Sequence, residues 1–163
     1  MPGLDDCVAL VDYDDTSRAL ITQLKYRGVR CSVRWLSTAL AARARGMERS
    51  FDVVTWLPAA DANKRRRGFD QGETLVRPLA LRLRVPARRL LHRRDNQGQT
   101  GRSRGDRLIG PSLSPVGSCD GLSVLLVDDV MTTGASMRAG AVALRQACAS
   151  TITGLVVAHR RFR

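Results

Sequence analysis

Val124-Leu125-Leu126-Val127-Asp128-Asp129-Val130-Met131-Thr132-Thr133-Gly134-Ala135-Ser136 is the stretch on which the reading of this chain turns. Four consecutive apolar, mostly branched residues have the pattern of a strand buried on both faces. The run breaks into two adjacent carboxylates and then into a Thr-Thr-Gly-Ala-Ser turn. An Ala-rich stretch over 137–148 predicts a helix. In a parallel α/β sheet ligands bind beyond the carboxyl ends of the strands, which is where Asp128 and Asp129 are expected. The turn offers hydroxyls, backbone N–H groups and a helix N-terminus, a combination suited to an anion and most naturally to a phosphate.

Other strand-turn-helix chemistries fit less well. The chain contains neither G-x-x-x-x-G-K-[ST] nor G-x-G-x-x-G, which excludes the two common glycine-rich nucleotide loops. Phospho-receiver domains place an acidic pair near their start, whereas here fewer than forty residues follow Asp129. A plainer reading makes Thr132 or Thr133 a helix cap and the acidic pair a solvated turn. Two adjacent carboxylates at a buried strand end repel each other, however, and call for a functional reason.

The stretch resembles the PRPP-binding motif of type I phosphoribosyltransferases. The resemblance implies that Asp128 and Asp129 hold the ribose hydroxyls and serve catalysis. It also implies that Thr132, Thr133, Gly134, Ala135 and Ser136 cradle the 5'-phosphate.

The chain has 163 residues, of which 44% are hydrophobic, enough for one domain with a core. No apolar run approaches the roughly 20 residues needed to span a membrane. The acidic start, Met1-Pro2-Gly3-Leu4-Asp5-Asp6, does not read as a signal peptide. Cys7, Cys31, Cys119 and Cys148 form no C-x-x-C pair, so neither a zinc ribbon nor a disulfide framework is expected, and a cytoplasmic setting is the default. The formal net charge is +12 and unevenly spread: residues 64–107 hold fourteen Lys/Arg against four Asp/Glu, while the first fifteen hold five Asp and no base. Such a chain suits a polyanion, either nucleic acid or a small diphosphate. Aromatic residues make up 4% of the chain, so nucleic-acid binding would be mainly electrostatic.

In chain order, residues 7–13 read as a strand. Asp14 to Ser17 supply helix caps, and Leu20, Ile21, Leu24 and Lys25 lie on the face of a first helix that Gly28 would end. Val33, Leu36, Leu40 and Ala44 stripe a second helix over 30–45, completing a helical hairpin. Residues 51–57 predict a strand that stops at Pro58. A loop over 58–71 follows, in which Pro58 and Ala59 allow close approach and the basic run 64–67 supplies charge. Leu75, Leu79 and Leu83 mark a helix over 70–84 that Pro78 should kink or restart. Residues 88–91 suggest a short strand. The polar stretch after it is long enough to be a lid or a disordered loop. Residues 152–159 read as a last buried strand. The order near the end favours a parallel sheet.

Further segments narrow the resemblance. Arg67-Gly68-Phe69-Asp70-Gln71 is similar to the R-G-F-N-Q of ComF-type proteins, the phosphoribosyltransferase-like branch linked to competence and DNA uptake. Gln99-Thr100-Gly101-Arg102-Ser103-Arg104-Gly105-Asp106-Arg107 resembles its Q-T-G-L-S-x-x-E-R, and Leu20 to Gly28 resembles its L-I-x-x-L-K-Y-x-G. Asp70 stands where that family usually has Asn, Asp106 where it has Glu, and Gly110 where an Asn is expected. The N-terminal zinc ribbon of the family is absent from this chain.

The resemblance implies a single domain over 1–163 with the type I phosphoribosyltransferase fold: a mainly parallel central sheet flanked by helices, an N-terminal helical hairpin and a flexible lid loop. It implies binding of PRPP or another phosphorylated ribose ligand and, if the protein is a transferase, displacement of pyrophosphate at the ribose C1 of PRPP. Pro58, Ala59 and Arg67 would face the pyrophosphate, and Gln99, Arg104 and Arg107 would belong to the lid. Mg²⁺ would be the cofactor, held at Asp128 and Asp129 directly or through water. Two further readings stay open: a non-catalytic PRPP or nucleotide module working with competence or recombination proteins, and an electrostatic binder of single-stranded nucleic acid. No general base is assigned; His92 and His159 read as ordinary surface or edge residues.

Overall fold

The computed structural model describes residues 3–24, 30–94 and 110–160. Strand β1 (Asp6–Asp12) leads into helices α1 (Asp15–Leu24) and α2 (Arg30–Arg45), then strand β2 (Val53–Trp56). Helices α3 (Asp61–Arg67) and α4 (Gln71–Leu83) follow, then the short strands β3 (Leu91–Arg93) and β4 (Leu113–Pro115). Strand β5 (Ser123–Met131), helix α5 (Ala135–Gln146) and strand β6 (Thr151–His159) complete the chain. Four strands form one parallel sheet in the order β1-β6-β5-β2, and β3 pairs antiparallel with β4. The expected parallel α/β architecture is therefore present.

The sheet is parallel because each strand returns through helices, and both of its faces are covered. Along β5, Leu125 and Val127 pack into one core with Leu36, Leu40, Leu75 and Leu79 of α2 and α4. Val124 and Leu126 face the other way, into a second core with Met137, Ala141 and Leu144 of α5. This alternation explains why the strand reads as one continuous apolar run. Leu36, Leu40 and Leu79 are fully buried, and each contributes about 1.5–3 kcal/mol through burial. Among the described residues no helix is long and apolar enough to cross a membrane.

The start of α1 is held as its sequence suggests. Asp14 accepts from the Ser17 N–H at 2.7 Å, while the Ser17 hydroxyl accepts from the Asp14 N–H at 2.8 Å. Ser32 donates to Gln23 at 2.8 Å, tying α2 to α1. Lys25 and Gly28 lie outside the described residues.

Several expected boundaries shift. The first strand begins one residue earlier than 7–13, because Asp6 already pairs with Thr153. The motif strand does not stop at Asp128: β6 extends to His159 and gives β5 a partner as far as Met131. Helix α5 accordingly starts at Ala135. The loop expected over 58–71 contains α3, with Gly68 in the left-handed region (φ 76°) closing it. Helix α4 runs unbroken through Pro78. Beyond β2, the Val54 N–H donates to Pro86 and the Arg88 N–H to Val54, so segment 86–88 covers the outer edge of that strand.

Candidate phosphate and ribose site

The carboxyl ends of β2 and β5 lie side by side, with Trp56 paired to Val127. The loop after β2 and the last third of β5 therefore open onto the same space. A cavity of about 280 Å³ lies there, lined among others by Pro58, Ala59, Arg67, Gln71, Asp128 and Asp129. A smaller one of about 80 Å³ is lined by the turn Thr132, Thr133, Gly134, Ala135 and Ser136. Both share Asp128, Val130 and Ser136, so the two form adjoining compartments.

Each aspartate is fixed by its own backbone. One oxygen of Asp128 accepts from the Asp129 N–H at 2.8 Å, and one oxygen of Asp129 accepts from the Val130 N–H at 2.8 Å. The other Asp129 oxygen accepts from the Gln71 side-chain amide at 2.7 Å. Gln71 in turn accepts from the Arg67 guanidinium. Three elements thus meet at Asp129: the end of α3, the start of α4 and β5.

The turn is shaped for an anion. Gly134 holds the cap position of α5 at φ 72° with no side chain capping the helix. The Thr133 hydroxyl makes only a long contact, 3.4 Å, to the Ala135 N–H. Among the described residues no side chain offers the first amides of α5 a strong acceptor, which leaves them available to an anion. Arg138 braces the turn by donating to the Thr133 carbonyl at 2.9 Å. From the other side Gly110 (φ 77°) presses against the helix start: a Cβ there would sit 2.8 Å from the Ala135 carbonyl oxygen. That close approach explains a glycine at this position.

The pyrophosphate-side residues come together in part. Pro58, Ala59 and Arg67 all line the larger cavity, but the Ala59 N–H is bonded to Asp70 at 3.2 Å. The basic run 64–67 divides: Arg67 turns to the cavity, while Lys64 lies 3.5 Å from Asp70. Gln99, Arg104 and Arg107 lie outside the described residues. Sequence reading missed Gln71, Asn63 and Arg93 as cavity residues. Arg93 was placed past the end of a strand at 88–91, whereas β3 covers Leu91–Arg93 and makes Arg93 a second arginine of the cavity lining. For Gln71 the signal was its place in the Arg-Gly-Phe-Asp-Gln segment.

Among the described residues no group of three or more His, Cys, Asp or Glu gathers that could hold a metal by itself. A carboxylate pair beside an anion site fits Mg²⁺ bound partly through substrate oxygens and water.

A family model for the phosphoribosyl transferase domain matches residues 70–161, more than half of the chain. The chain belongs to the phosphoribosyl transferase domain family. The match begins at Asp70 and takes in α4, the β3–β4 pair, the acidic pair and the turn. Solved structures of phosphoribosyl transferase domains share the fold. Glutamine PRPP amidotransferase from B. subtilis, solved with ADP and GMP, aligns with a TM-score of 0.54 at 23% identity, over 76% of this chain and 25% of that one. This chain therefore spans only about a quarter of that enzyme's length. Purine phosphoribosyltransferase from Pyrococcus horikoshii aligns with a TM-score of 0.52 at 17% identity, over 80% of this chain and 91% of that one. A hypothetical protein from Neisseria gonorrhoeae with bound ppGpp aligns with a TM-score of 0.52 at 16% identity, over 85% and 76%. No curated protein sequence matches the chain.

Proposed function

We propose that this single phosphoribosyl transferase domain binds PRPP at the adjoining compartments and is of ComF type, a cytoplasmic protein linked to competence and DNA uptake. One observation carries the PRPP reading. Asp128 borders both a small cradle lined by the turn residues 132–136 and a larger cavity that Asp129, Arg67 and Arg93 also line. That is the order 5'-phosphate, ribose, diphosphate. The small compartment, about 80 Å³, suits a phosphate group, and the larger, about 280 Å³, suits the diphosphate with room beside it. The ComF assignment is supported by the Arg67-Gly68-Phe69-Asp70-Gln71 segment, whose Arg67, Asp70 and Gln71 all take part in building the site.

In this reading Asp128 and Asp129 orient the ribose hydroxyls, and the α5 N-terminus with Thr132, Thr133 and Ser136 takes the 5'-phosphate. Arg67 and Arg93 offset the negative charge of the diphosphate. Mg²⁺, when bound beside Asp128 and Asp129, would supply charge neutralisation of the phosphates. For transfer, the developing positive charge at the ribose C1 is met by the carboxylates, and the departing pyrophosphate by the arginines. Pro58 and Ala59 bring backbone close to that leaving group.

The test is calorimetric titration with PRPP and Mg²⁺ on the wild type and on Asp128→Asn/Asp129→Asn. Saturable binding that the double variant weakens at least tenfold is expected. Absence of binding to the wild type would sink the reading. Pyrophosphate release in the presence of candidate base acceptors then separates a transferase from the second reading, a non-catalytic module acting with nucleic acid or recombination proteins. The second reading draws on α2, which carries an exposed Trp35 and several arginines and has no carboxylate along its length.

A further inference from the structure

We infer that Gln71 is a positioning residue that couples the diphosphate side of the cavity to its ribose side, so that occupancy of one raises affinity at the other. The inference rests on the PRPP reading above.

The chemistry of the three groups gives the link one orientation. Arg67 can only donate and the Asp129 carboxylate can only accept. The Gln71 amide must therefore turn its oxygen to Arg67 and its nitrogen to Asp129, as it does, with the second bond at 2.7 Å. Flipping the amide would set donor against donor and acceptor against acceptor. Asp129 is held through one oxygen by the Val130 N–H, and Gln71 donates to the other.

The backbone around Gln71 is held independently of its side chain. Asp70 caps α4 by accepting from the Gly72 N–H at 3.0 Å, and the Gly68 N–H closes α3 on the Lys64 carbonyl at 2.7 Å. Gln71 itself is half-buried and takes no part in either core cluster. Its amide is thus needed neither for the helix cap nor for packing. What it does is connect a cation on α3 to a carboxylate on β5.

The energetic consequence is cooperativity. An anion that immobilises Arg67 also holds Gln71, and through it Asp129, before any ribose arrives. A ribose ligand then finds its carboxylate already ordered and binds with less loss of freedom. By linkage the reverse order gains the same factor.

The experiment uses the full chain, ribose 5-phosphate, and pyrophosphate with Mg²⁺. The dissociation constant of ribose 5-phosphate is measured by calorimetry without and with saturating Mg²⁺-pyrophosphate. The wild type should bind ribose 5-phosphate at least about fivefold more tightly when pyrophosphate is present. In Gln71→Met, which keeps the length without the polar ends, and in Gln71→Asn, which is too short to reach both partners, that factor should fall to nearly one with the unliganded melting temperature unchanged. A Gln71→Met or Gln71→Asn chain that keeps the wild-type factor overturns the inference, as does a wild type that binds both ligands independently. Failure of both variants to fold overturns it too, since Gln71 would then be structural. A wild type that binds neither ligand instead overturns the PRPP reading itself.

Discussion

The carboxylate of Asp70 accepts a hydrogen bond from the backbone N–H of Ala59, at 3.2 Å, and so ties the loop after β2 to the first turn of α4. Its other oxygen caps that helix through Gly72, and Lys64 lies 3.5 Å away. Replacing Asp70 by Ala removes the cap and the loop tie together and should cost about 2 kcal/mol in urea unfolding. Asp70→Asn keeps one acceptor but turns an amide NH₂ toward a backbone N–H, and should cost about 1 kcal/mol. Equal stability of all three chains would refute the role assigned to the loop tie.

Gly110→Ala should destabilise the chain by about 1–3 kcal/mol, since it adds both a positive-φ penalty and a close contact. The Cβ would lie 2.8 Å from a backbone oxygen, which cannot rotate away as a side chain could. Because that oxygen belongs to Ala135, affinity for inorganic phosphate should weaken with stability. The check is chemical denaturation beside a phosphate titration.

A third expectation concerns acid. The Ile152 backbone N–H, together with the Arg145 guanidinium, holds the Asp5 carboxyl below its ordinary value of 3.8, against a burial effect that raises it. A carboxyl lowered in the folded state binds its proton less readily there than in the unfolded chain. Its stabilisation is therefore full above the ordinary value and is lost as pH falls through the lower, folded one. Melting curves of wild type and Asp5→Asn should differ at pH 5 and converge toward pH 2. A constant gap across that range would contradict the assignment.

Thiol labelling gives a fourth. Cys31 and Cys148 are exposed, Cys119 is buried and Cys7 is half-buried. Burial pushes the thiols of Cys7 and Cys119 up, disfavouring the reactive thiolate. A maleimide should modify Cys31 and Cys148 promptly in the native protein and reach Cys119 only on unfolding, as peptide mass mapping would read.

Much of the fold could be read before the coordinates. β5 and β6 announce themselves through the continuous apolar runs 124–127 and 155–158, which a strand covered on both faces favours. The caps of α1 could be read because Asp14 and Ser17 act within one turn. The acidic pair and the Thr-Thr-Gly-Ala-Ser turn lie contiguous in sequence, so local pattern suffices. What escaped is what depends on distant partners. The length of β5 is set by β6, not by its own residues. β3 is three residues long and exists through its pairing with β4. The contact of Gln71 with Asp129 spans fifty-eight positions, a distance that no periodicity reports.

The sheet order has a consequence for how the molecule is made. β1 pairs with β6, so the first strand waits for the last one before it has a neighbour. β6 also flanks β5 alongside the acidic pair, with Asp128 opposite Val156. A nascent chain still short of Thr151 lacks the strand that joins its two ends, and so keeps one long edge of β5 open. Such late, non-local closure slows folding and leaves hydrophobic strand edges exposed meanwhile. The ligand pocket should therefore appear only once β6 is in place between β1 and β5, and not grow strand by strand.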